Sequence, residues 1–220
     1  NVRALTTSQL AVLNSDQLRA IQTRQWNAMT TLQIRSLSTS QVENLGSESV
    51  SALGVSQVSA IASDQLAAIS ADAWQAVSSA SIQSLSSQQV KALSSTQWIA
   101  FGSAQVRALS SRNLQHLSSA ALNQIRGDAF VGLASSQISE LNTGQLTALS
   151  EERWSGLLGF QIGALKTSQI KELSSRAFSL MNSDQIVSFQ TRHIPGLSTF
   201  QLKAWNTDQI AAIEVADFAA

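Results

Sequence analysis

Leu85-Ser86-Ser87-Gln88-Gln89-Val90-Lys91-Ala92-Leu93 holds the pattern from which the rest of the chain is built. Written as a rule, it is Ser/Thr, Ser/Thr, any residue, Gln, apolar, any residue, small, apolar. Counted from Thr6, this octad repeats 26 times to Ile213 with no residue inserted or deleted. Its first Ser/Thr suits a helix N-cap, and its Gln then stands at N3, the partner position of a capping box. The apolar eighth residue of the preceding octad falls at N′ and the apolar fifth residue at N4, the two halves of a hydrophobic staple. Every octad therefore encodes the start of a helix, and one octad later the next helix starts again. The expectation is a series of helices of roughly one and a half turns, joined by tight Ser/Thr corners.

Two other architectures fail on geometry. In one continuous helix eight residues advance ~800°, so the apolar pair would rotate by ~80° per octad and never form a stripe. A β-solenoid needs inward residues of one parity, whereas positions five and eight have opposite parity. Ala, Leu, Gln and Ser also dominate where strands would favour β-branched residues. The fold class expected is all-α, a solenoid of very short helices with one helix per eight-residue repeat.

A longer period overlies the octad. The bulky fifth-position residues are Trp26, Trp74, Trp98, Phe130, Trp154 and Phe178, and Trp205 occupies an eighth position. All but one of the intervals along the fifth-position series are multiples of three octads. The exception lies between Trp98 and Phe130, where the phase slips by one octad. Departures from Gln at position four follow the same rhythm, as at Ala73, Ala121, Ala129, Arg153 and Ala177. This predicts three octads per superhelical coil, with a large side chain on one side of each coil. The aromatics are expected to fill coil corners, with a lateral interface as the other reading. Residues 1–220 read as one uninterrupted array. Partial octads at 1–5 and 214–220 point to a window on a longer array, or to a unit that stacks end to end.

Composition narrows the function. Charged residues make up 13% of the chain and the net charge is zero. Phosphate backbones and anionic lipid surfaces call for basic stripes or clusters, which are missing, so neither nucleic acid nor membrane is an expected partner. No run approaches the roughly 18 apolar residues of a spanning helix, so no membrane insertion is expected. Cysteine is absent, which removes disulfides and thiolate metal sites.

Few residues offer chemistry. Arg126-Gly127-Asp128 is a triplet that integrin-binding proteins present on exposed loops, and it occupies corner positions at the phase slip. A plain corner with flanking charges is the simpler explanation. His116 and His193 are far apart in sequence and have no ligand partners at metal spacing. There is neither a Gly-x-Ser-x-Gly elbow nor a Gly-rich phosphate loop. The chain is therefore not expected to be an enzyme, and no cofactor or metal is expected. Pro195, the only proline, falls inside a predicted helix, where it removes a hydrogen bond and should make the turn irregular.

Leu5-Thr6-Thr7-Ser8-Gln9-Leu10 resembles the short Leu-Thr-Thr-x-Gln-Ile-x-Ala-Leu tandem repeats of very large bacterial secreted or surface proteins. That resemblance implies an elongated, extracellular or cell-surface repeat region and brings no catalytic residues with it. Where the capping Gln is lost, at Ala129, Arg153, Ala177 and His193, turns that are looser or bound differently are expected. The leading expectation is a structural stalk, spacer or fibre-forming segment that associates with itself or continues as more of the same array. The alternative is an adhesive solenoid that holds a glycan or a host protein by its aromatic side or its Arg126-Gly127-Asp128 corner.

Overall fold

A computed structural model describes residues 2–213; the partial octad at 214–220 and Asn1 lie outside the described residues. Among the described residues there are 25 α-helices of four to six residues, two 3-10 helices and no strands. The octad produces this directly. In Ser86–Leu93, the Ser86 N-cap is extended (φ −72°, ψ 158°) and the helix runs Ser87–Ala92. Leu93 then returns to extended backbone at φ −59°, ψ 136°. Each corner is thus two extended residues between two short helices. None of the described residues has a positive φ, so the corners need no glycine and Ser, Thr or Asn serves equally well.

Every closely packed pair of helices is three octads apart: Ser63–Ala68 packs on Ser87–Ala92, and Ser95–Ala100 packs on Ser119–Gln124. The chain therefore winds three helices, one per octad, into each coil, as the aromatic period predicts. The phase slip leaves the winding intact. Gly127–Phe130 packs on Ser103–Ala108 below it and on Glu151–Gly156 above it, so only the column of large side chains moves from one side of the coil to another.

Position five is buried from Leu10 to Ile186 and position eight from Met29 to Phe189, forming one continuous core. Some coils approach so closely that a side chain has no room. A Cβ on Gly132 would lie 2.8 Å from Ser103 Cβ in the coil below, and one on Gly163 would lie 2.9 Å from Ser188 O in the coil above. The irregular turn expected at Pro195 is a 3-10 helix over Thr191–Gly196.

Candidate functional site: the glutamine corners

The position-four glutamine does more than cap its own helix. Gln97 Oε1 accepts from Ser94 N–H at 2.9 Å, which is the capping-box bond expected from three-residue spacing. Its Nε2 also donates to Leu66 O and Ile69 O, both at 2.9 Å, at the corner of the preceding coil. Gln97 is fully buried. The amide thus ties its corner to the backbone carbonyls 28 and 31 residues earlier. No buried polar atom of its own is left unpaired. Fourteen of the described glutamines, from Gln33 to Gln209, make both kinds of bond; Gln41, Gln89 and Gln145 are further cases. Where position one has no capping side chain, as at Gly54 and Ala134, the glutamine keeps its half of the box. A net hydrogen bond is worth about 0.5–1.5 kcal/mol, so one such side chain contributes about 2–4 kcal/mol between cap and tie.

The departures from glutamine are of three kinds. Some are replaced in function. His193, fully buried, accepts from Gln190 N–H through Nδ1 at 3.0 Å and reaches Leu165 O through Nε2 at 2.8 Å, the 28-residue tie. Because Nδ1 must accept, the ring proton sits on Nε2 and the imidazole is neutral. Burial lowers its pKa below the ordinary 6.5; the bond to Leu165 O opposes this, and the adjacent Arg192 charge adds to it. Of the two outcomes expected at His193, the turn is bound differently rather than loosened, because the imidazole performs both jobs of the amide.

Arg153 is replaced by a partner. Its guanidinium has no acceptor to offer Ser150, so Ser150 N–H donates across the coils to Asn123 Oδ1 at 2.9 Å. Arg153 Nη2 donates to Asn123 O at 3.3 Å, and Nη1 pairs with Glu152 at 2.8 Å. The guanidinium also lies 5.9 Å from the Phe130 ring centre. This corner too is bound differently rather than loosened.

The third kind leaves the corner open. Ala121 and Ala177 let the Ser N-cap keep its own bond, with Ser118 Oγ accepting from Ala121 N–H at 3.1 Å and Ser174 Oγ from Ala177 N–H at 3.2 Å. Nothing reaches back to the earlier coil. Cavities of about 370 Å³ and 430 Å³ lie at these two corners, and a third of about 240 Å³ lies where Ser49 replaces the glutamine.

The structure places the aromatic candidates in the core. Trp26, Trp74 and Phe178 are fully buried; Trp98, Phe130, Trp154 and Trp205 are buried to within a few per cent. Trp98 stacks on Phe101 at 4.6 Å, and Trp205 meets Phe178 and Phe189. The indole N–H groups of Trp26, Trp74 and Trp205 have no acceptor. Each costs about 1–3 kcal/mol, less than the roughly 4–6 kcal/mol from burying an indole of about 150–250 Å². Trp98 and Trp154 differ from the others in lining the cavities at Ala121 and Ala177.

Arg126-Gly127-Asp128 spans a corner into the first turn of Gly127–Phe130. Arg126 and Asp128 are exposed but turn toward each other, 3.6 Å apart. Gly127 faces Arg153 and Glu152 of the next coil, so a Cβ there would be 3.4 Å from both. His116 lies at the Ala121 cavity, far from His193. The inter-coil role of position four has no three-residue signal, so the sequence reveals the cap and hides the tie. The alanines that mark the open corners are visible in the sequence only as departures from the rule.

These features define a class, the tandem-repeat protein that folds as a helical solenoid. Within the chain, residues 1–31 and 18–55 match the model of the ALTTAQ repeat family. A comparison with curated proteins finds no match.

Proposed function

We propose that this chain is a structural, non-enzymatic segment of a large bacterial surface or secreted assembly, acting as a stalk, spacer or fibre-forming rod. The observation that carries this reading is the repeated glutamine tie. The same buried amide, with the same tie to the carbonyl 28 residues earlier, joins coil after coil. The surface side chains add to it. Ser59 bonds Ser84, Thr167 bonds Arg192 O, Lys166 pairs with Glu140 and Arg176 with Glu151, each linking one coil to the next. Exposed ion pairs contribute little energy singly, but here they join coils along the array. Stability in such an array is close to a sum over neighbouring coils, which suits an element whose property is its length.

Self-association or continuation of the array is the partner this reading favours, in an extracellular or cell-surface setting. An adhesive role through the exposed Arg126 and Asp128 is the second reading. Electron microscopy with sizing at several concentrations tests the first. Rods that lengthen in proportion to added octads, or filaments longer than one chain, are the expected result. Compact particles whose length does not follow the octad number would overturn it.

A further inference from the structure

We propose that the open corner at Ala121 is a binding site for a primary carboxamide. The ligand is either the side chain of a Gln or Asn from another protein or a small free amide. The chain's own filled corners show how such a group is held. At the stacked corner one coil earlier, Gln97 receives one N–H bond, from Ser94, and gives two, to Leu66 O and Ile69 O.

The equivalent backbone atoms at Ala121 are Ser118 N–H, Val90 O and Leu93 O. Among the described residues, Ser118 N–H and Leu93 O have no hydrogen-bond partner, and Val90 O accepts only from Leu93 N–H at 3.4 Å. One donor and two acceptors therefore face a cavity of about 370 Å³ in the arrangement that holds an amide elsewhere in the same molecule. By the same measure of volume a single water needs only about 10–15 Å³, so the cavity admits an amide together with its carbon stem.

The chemistry of the three atoms selects the ligand. A carboxylate would set its negative oxygens against two carbonyls, and an ammonium would meet Ser118 N–H with nothing to accept its proton. A hydroxyl has one proton where two acceptors wait. A primary amide satisfies all three atoms. The Trp98 ring, held by its stacking on Phe101, lines the cavity and offers an apolar surface to the stem. The corner at Ala177 repeats the arrangement. Leu149 O and Ser174 N–H are without partners, and Trp154 lines a cavity of about 430 Å³. This inference does not depend on the structural role proposed above.

The test is an NMR titration of the full 15N-labelled chain with propionamide and, separately, with the peptide acetyl-Gly-Gln-Gly-N-methylamide, whose only primary carboxamide is the Gln side chain. Propionate is the control. The expected result is a saturable shift of the Ser118 and Ala121 amide signals, with propionate at least tenfold weaker. Ala121→Gln supplies the corner with its own amide and should abolish the response at Ser118 while leaving that at Ser174. That surviving response also reports that the variant is folded, and Ala121→Met, which fills the cavity without an amide, should block the site in the same way. Tighter binding of the peptide than of propionamide would support a protein side chain as the ligand; equal binding would support a small amide. No saturable shift at Ser118, a shift that persists in both variants, or equal binding of propionate would overturn the proposal.

Discussion

The corners at Gln97 and Ala121 are stacked one above the other, three octads apart, and differ by one side chain. At the first, a buried amide joins the cap of its own helix to two carbonyls of the earlier coil. At the second, the cap survives through Ser118 but the tie is missing and a cavity stands in its place. The helices on both sides still form and still stack three octads apart. Local capping and apolar burial are thus sufficient to wind a coil. The amide adds inter-coil cohesion.

Trp98 follows the filled corner in sequence and lines the open one, and its loss should cost the most. Trp98→Ala should destabilise the array by about 3–5 kcal/mol, as expected for a large side chain removed from a core. Chemical denaturation measures this, and a cost below about 1 kcal/mol would mean that the ring is an interface element rather than filler.

Gln97→Glu comes next, at about 3 kcal/mol near neutral pH, because its carboxylate can still accept from Ser94 but faces Leu66 O and Ile69 O with no proton to give. Its folded-state pKa should rise above the ordinary carboxylate value, so the folded state binds more protons than the unfolded state. The deficit should therefore shrink as the pH falls toward about 4, when protonation restores a donor. Denaturation across that range separates this from a simple packing defect, which would be independent of pH.

A weaker dependence is expected at His193, where an imidazole stands in for the amide. Its folded pKa is lowered, so the folded state binds fewer protons and its contribution is present above the unfolded value near 6.5. That contribution should fade as the pH drops through the lower folded value, by at most about 1.4 kcal/mol per pH unit. His193→Gln, which restores the common residue, should remove this component of acid sensitivity; unchanged acid sensitivity would show that the imidazole is not acting as the amide's substitute.

The two remaining substitutes show why part of this site escapes a reading of the sequence. Arg153 looks like a lost cap until Asn123, thirty residues earlier, is found accepting from Ser150 in its place. His193 looks like a lone histidine until its two nitrogens are seen to match the two ends of an amide. The Asn123 contact and the His193 bond to Leu165 O each lie a full coil away, and no spacing rule within an octad points to them.

What the sequence determined by itself is everything carried by contacts that close within an octad or between neighbouring octads. That includes the helix starts, the Ser/Thr caps and the apolar fifth and eighth positions; the number of helices per coil is legible separately, from the three-octad recurrence of large side chains. These signals are legible because both partners of each contact stand at a fixed, short spacing in the chain. Only the tertiary structure fixes the fate of the amide nitrogen of each glutamine, which corners are tied to the earlier coil and which are not, and that the aromatic column changes side without breaking the winding. Those outcomes depend on bonds that close over 28 and 31 residues, as at Gln97. They exist only after one coil has come to rest on another and brought a donor within reach of carbonyls that the local sequence leaves unpaired.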